Sequence, residues 1–167
     1  MKKKILALVL AVMFLVGATS IPASAANTYD ENFVIIIATA VVNMNSGIAA
    51  RVKQDYSASY VNYLTDKDGN DASGPYRFEV QIWGGETKNG PFYDCSSYTY
   101  NGIARTKAIV EMGSYGLVRN DVAERYGVGS YGQIYGKKYE YGTTGTARGC
   151  WSVDSINYGY DYYNDIA

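Results

Sequence analysis

"PYRFEVQIWGG", residues 75–85, is the stretch that decides the fold. Tyr76, Phe78, Val80 and Ile82 share one side of an extended chain, and Arg77, Glu79 and Gln81 share the other. Successive side chains of a strand point to opposite faces. A period of two in aromatic and β-branched residues therefore predicts a strand with one buried and one solvated face. Gly84 and Gly85 stop it.

The same reading extends outward from this strand. "DKDGND" (66–71) precedes it as a turn dense in Asp, Asn and Gly. "ARVKQDYSASYVNYLT" (50–65) alternates through Tyr56, Ala58, Tyr60 and Asn62 and reads as one strand. "NFVIIIATAVVNMNSG" (32–47) is a β-branched run that ends in an Asn/Ser/Gly turn. It reads as a buried strand, with a short buried helix as the alternative. "CSSYTYNGIARTKAIVEMGS" (95–114) reads as two strands. The second sets Ala104, Thr106, Ala108, Val110 and Met112 against Arg105, Lys107 and Glu111. "LVRNDVAERYG" (117–127) is the single helical candidate, with Asn120 or Asp121 to cap it and Gly127 to end it. Beyond it, Tyr-Gly pairs begin at Tyr115, Tyr126, Tyr131, Tyr135, Tyr141 and Tyr158, with no fixed period. Short strands punctuated by glycine turns predict an all-β fold, a small antiparallel sandwich or barrel with one short helix near 118–126.

The first residues predict export. Lys2–Lys4 precede an apolar run from Ile5 to Val16, followed by Gly17, Pro22 and the small residues Ala23-Ser24-Ala25. A basic start, an apolar stretch too short to span a bilayer and an A-x-A site make a secretory signal peptide, cleaved after Ala25 or, as second choice, Ala26. No cysteine stands at the cleavage point for lipidation, and the C-terminal "YGYDYYNDIA" has no apolar tail to act as an anchor. Residues 26–167 are then one secreted domain, and the lysine-rich leader suits a bacterium.

All 18 tyrosines lie in that domain. Removing Lys2–Lys4 from the 15 basic residues leaves 12 against 16 acidic ones, a net charge of −4. Nucleic acids and anionic membranes need clustered Lys and Arg, so neither is an expected partner. The chain has no histidine, which excludes Ser-His-Asp and Cys-His catalysis and most zinc and copper sites. Carboxylate pairs drawn from Glu79, Glu86, Asp94, Glu111 or Glu140 remain for a hydrolase. No spacing sets two of them face to face, so the expectation is a non-enzymatic protein without a cofactor.

Cys95 and Cys150 are the only cysteines. In an oxidising compartment two cysteines most simply pair, and a bridge closing a loop of about 55 residues would stabilise the fold by roughly 4 kcal/mol. Asp66, Asp68, Asn70 and Asp71 are a calcium candidate. However, the glycine arrives at the fourth position rather than the sixth and no distal Glu follows, which favours a solvated hairpin turn. Tyrosine is the distinctive element: "YGQIYGKKYEYG" and "YGYDYYND" hold more rings than a one-sided core can bury. Tyr135, Tyr139, Tyr141 and Trp151 are the expected contact patch.

The closing "TARGCWSVDS" (146–155), through Arg148, Gly149, Trp151, Ser152 and Asp154, resembles small secreted Gram-positive proteins, including uncharacterised exported families and the lactococcin-like bacteriocins. The resemblance implies a small antiparallel β-sandwich acting outside the cell. The functional expectation is recognition of an envelope polymer or protein. A bacteriocin-like effector is the alternative and a carboxylate hydrolase the third reading.

Overall fold

The structure, a computed structural model, describes residues 28–39, 49–96, 102, 104–140, 142–156 and 159–164. The leader with its cleavage site, Tyr141, the turn at 43–47 and residues 97–101 lie outside the described residues.

Among the described residues, nine strands and one helix follow in order: β1 (Glu31–Ile37), β2 (Arg51–Val52), β3 (Ser59–Asn62), β4 (Arg77–Gly85), β5 (Tyr93–Asp94), β6 (Ala108–Glu111), β7 (Tyr115–Val118), α1 (Val122–Tyr126), β8 (Tyr131–Lys137) and β9 (Gly145–Ser152). They form two antiparallel sheets. The first runs β1-β9-β3-β7. The second runs β2-β8-β4-β5, with β6 also paired to β4. Phe33, Ile35, Ile37, Val61, Ala147 and Trp151 of the first sheet meet Phe78, Val80, Ile82, Val110 and Ile134 of the second in one buried cluster. The predicted all-β fold is the one observed. The layers approach closely where Gly136 faces Ile35 and Ile37, because any side chain at that position would collide with both.

β4 confirms the reading that decided the fold and corrects its polar face. Phe78, Val80 and Ile82 are fully buried as expected, while Tyr76 lies just before the strand and is exposed. Glu79 and Gln81, expected in water, are only 4% and 6% exposed. They are covered because they hydrogen-bond in a row: Trp83 Nε1 donates to Gln81 Oε1, and Gln81 Nε2 donates to Glu79 Oε1, both at 2.8 Å. Buried polar groups are tolerated when they are satisfied in this way.

The 50–65 segment is two strands rather than one, and they belong to different sheets. Lys53 pins the crossing. Its ammonium is fully buried, 2.9 Å from Asp154 Oδ1, and donates to Val153 O at 2.8 Å and to Ser57 O. The helix is a single turn, and Leu117 and Val118 belong instead to β7. Asp121 stands at its N-cap without making a capping bond, because its carboxylate pairs with Arg105 and Arg125. Gly127 ends the helix at a φ of 85°, as the glycine predicted. Beyond β9 the chain returns alongside β7 in parallel: Leu117 N donates to Asp161 O at 2.9 Å and Tyr163 N to Leu117 O at 2.8 Å. The Asn164 side chain extends the ladder, accepting from Arg119 N and donating to Ser96 O and Arg119 O.

Candidate functional site

Two residues of the expected contact patch, Trp151 and Tyr135, are buried. Trp151 is fully buried, because the alternation of β9 turns it inward with Ala147. Tyr135 points away from the core but is only 2% exposed. Its ring stacks on Trp83 at 4.5 Å and its hydroxyl donates to Gln133 Oε1 at 2.8 Å. Tyr139 is half-buried, with the Arg77 guanidinium 5.7 Å from its ring centre, and Tyr141 lies outside the described residues.

The expected Cys95–Cys150 bridge is not formed either: both are buried free thiols. Cys95 belongs to the core beneath Gly84 and Val122, whereas Cys150 points out of the other side of the first sheet, beside Asn32 and Asn62. A sheet therefore lies between them. Burial pushes both thiols up to about 12, so neither is an activated nucleophile at neutral pH. Accordingly, the folded chain should leave a thiol reagent unreacted over minutes, and two thiols should titrate per chain once guanidinium unfolds it. A titration of zero thiols in unfolded, unreduced protein would restore the bridge.

The 66–71 carboxylates serve the turn itself. Asp66 Oδ1 accepts from the N–H groups of Asp68 and Asn70, both at 2.9 Å, and Asp66 Oδ2 accepts from Asn70 Nδ2 at 3.0 Å. Those Asn70 bonds hold the Asp66 carboxyl below its usual range. Asp68 accepts from Lys67 and Asn32, which fastens the loop to β1, and the Asp71 backbone pairs with that of Thr65. The Asp66 and Asp68 carboxylates are thus aimed at separate partners, and among the described residues no three His, Cys, Asp or Glu side chains are grouped to hold a metal.

The structure brings a different set of residues together on the outer face of the first sheet. Tyr60 of β3 lies opposite Ser152 of β9 on one flank and Leu117 of β7 on the other. Tyr160, carried back by the C-terminal return, packs on Tyr60 at 5.4 Å, and Tyr115 meets Tyr160 edge-on at 5.5 Å. Offset and edge-on ring pairs of this kind are mutually attractive. Beside them opens a pocket of about 280 Å³ walled by Tyr60, Tyr160, Ser152, Ser155 and Ile156, with solvent-accessible Asp30 also lining it.

The electrostatics of the pocket follow from its walls. Surrounding protein raises the Asp30 carboxyl above its usual range, against the opposing pull of the Arg51 charge. Burial, reinforced by the Asp30 charge, raises the Tyr60 phenol, which stays protonated. Ser152 Oγ donates its proton to Asp154 O at 2.7 Å and so turns lone pairs to its surroundings. Among the described residues, Asp30 is the only carboxylate lining the pocket, and a two-carboxylate hydrolysis needs a second. Elsewhere, Glu111 is paired with Arg77 and Glu79 with Gln81.

Sequence reasoning passed over Asp30, Tyr60 and Tyr160 as site residues. Tyr60 carried a signal, being an aromatic in the alternating row with Tyr56, Ala58 and Asn62. Asp30 and Tyr160 carried none, because only the tertiary return after β9 brings Tyr160 to the same pocket as Asp30.

A family model described as "Protein of unknown function (DUF2712)" matches residues 21–155. No curated protein and no solved structure matches the chain.

Proposed function

For a chain that belongs to the DUF2712 family of proteins of unknown function, we propose a secreted, non-enzymatic domain that recognises an envelope polymer through its tyrosine-bearing outer sheet face. The observation that carries this reading is the cluster of Tyr60, Tyr115 and Tyr160 beside a pocket that also presents Asp30 and Ser152. Aromatic rings with polar groups at their margin suit the faces and hydroxyls of polymer subunits. The volume of about 280 Å³ accommodates one small unit or side group rather than a whole chain. The leader read from Lys2 to Ala25 supports an extracellular ligand.

Retention of residues 26–167 on insoluble Gram-positive peptidoglycan tests the reading. The native chain is expected in the pellet. A Tyr60→Ala/Tyr160→Ala variant is expected to lose at least about 80% of that retention while keeping its far-UV circular dichroism, as removal of central aromatic anchors does. If the native chain is not retained on any wall, the polymer reading falls and an envelope protein takes its place as the partner to seek.

A bacteriocin-like effector is the second reading, favoured by one observation: the segment carrying that resemblance forms β9, whose Ser152 lines the pocket. Growth inhibition of wall-binding target cells separates it from a simple binding module.

A further inference from the structure

Asp30 and Ser152 turn acceptors to this pocket. Asp30 carries a carboxylate that accepts one long contact from the Cys150 thiol, 3.8 Å between Sγ and Oδ2, and feels the Arg51 charge. Ser152 has its proton engaged by Asp154 O, so toward the pocket it accepts. The Ser155 backbone N–H is already donated to Ser57 Oγ at 2.9 Å. Of the two nearby cations, Arg51 donates through Nη1 to the Tyr29 and Trp151 carbonyls while its charge also acts on Asp30, and Lys53 is sealed inside with Asp154. Tyr60 and Tyr160 supply π-rich walls. An anionic ligand would meet like charge here, and a purely apolar one would leave the carboxylate without a further partner.

We propose that this pocket binds a primary ammonium group carried by the envelope polymer, with Asp30 as its counter-ion, Ser152 Oγ as a hydrogen-bond acceptor and the rings of Tyr60 and Tyr160 against its carbon stem. An ammonium has three donors and no acceptor, which complements a site of this kind, and aromatic faces attract cations. The inference rests on the reading of this face as the binding surface and adds its chemical specificity. The raised Asp30 carboxyl agrees with it, since a cation in the pocket would stabilise the ionised form.

The test titrates residues 26–167 with n-butylammonium chloride, the neutral and slightly longer alcohol 1-pentanol, and butyrate, read by amide chemical shifts. Butylammonium is expected to saturate at a Kd of about 1 mM, typical of a ligand with so few atoms, with shifts centred on Tyr60, Ser152 and Tyr160. Pentanol and butyrate should bind at least about tenfold more weakly. Asp30→Asn should lose butylammonium by a similar factor with its spectrum otherwise unchanged, and Tyr76→Ala, at an exposed tyrosine of the second sheet, should bind normally. Glucosamine and Nα-acetyl-lysine distinguish a sugar-borne from a peptide-borne amine, with N-acetylglucosamine as the blocked control.

Equal binding of pentanol, or unchanged affinity in Asp30→Asn, overturns the proposal. Wall retention without butylammonium binding sinks the ammonium specificity and leaves the polymer reading standing. Butylammonium binding without wall retention sinks the polymer reading alone.

Discussion

Replacing Lys53 with methionine should lower unfolding stability by about 3–5 kcal/mol, the loss that follows removal of one partner from a buried ion pair. Both side chains are 0% exposed and their charged atoms are 2.9 Å apart. Methionine fills most of the lysine's volume, so the loss reports chiefly the Asp154 carboxylate left in a buried site, with the Gln54 N–H at 2.9 Å as a remaining donor. The Val153 and Ser57 carbonyls lose their donor as well. Burial draws the Lys53 pKa down and the Asp154 charge pulls it back up, as expected for an ion held out of water by one partner. A small domain has only about 5–15 kcal/mol in total, so the variant should unfold at much lower urea. Pairing it with Asp154→Leu should recover part of the loss, because the buried carboxylate is then gone. A change below about 1 kcal/mol in Lys53→Met would mean that the pair is solvated and does not hold the strand crossing.

Trp151→Ala carries the second large effect, about 3–5 kcal/mol, for emptying a core site of aromatic size. The ring is fully buried in the cluster with Val61, Ala147 and Val153, and the Arg51 guanidinium lies 5.9 Å from its centre. Urea unfolding measures the loss. A contact role predicts the opposite pattern, with stability unchanged and wall retention abolished. Any weakened wall retention of Trp151→Ala should therefore track its unfolded fraction, and a fully stable variant that no longer binds would move Trp151 out of the core.

The two results divide what was readable from what was not. β4 was legible because Phe78, Val80 and Ile82 repeat at the strand period, and the same rule applied to β9 puts Trp151 on the side of Ala147. The expectation of a surface Trp151 weighed residue type over parity and was overturned by burial. Tyr135 failed differently. Its parity was outward, but Trp83 of the neighbouring strand covers it, and a cross-strand neighbour is set by register. The cysteine pairing failed for a related reason: composition says how many thiols exist, while sheet sidedness says which can meet.

The sequence by itself determined the all-β class, the inward rows of β4 and the helix stop at Gly127, because each depends on side-chain period or backbone freedom over a few neighbouring residues. Tertiary structure alone decided that residues 50–65 split between two sheets, that Lys53 and Asp154 meet inside, and that Asp30, Tyr60, Ser152 and Tyr160 share one pocket. Those contacts join positions up to about 130 residues apart in the chain, and their formation rests on sheet order and register, which local propensity does not encode.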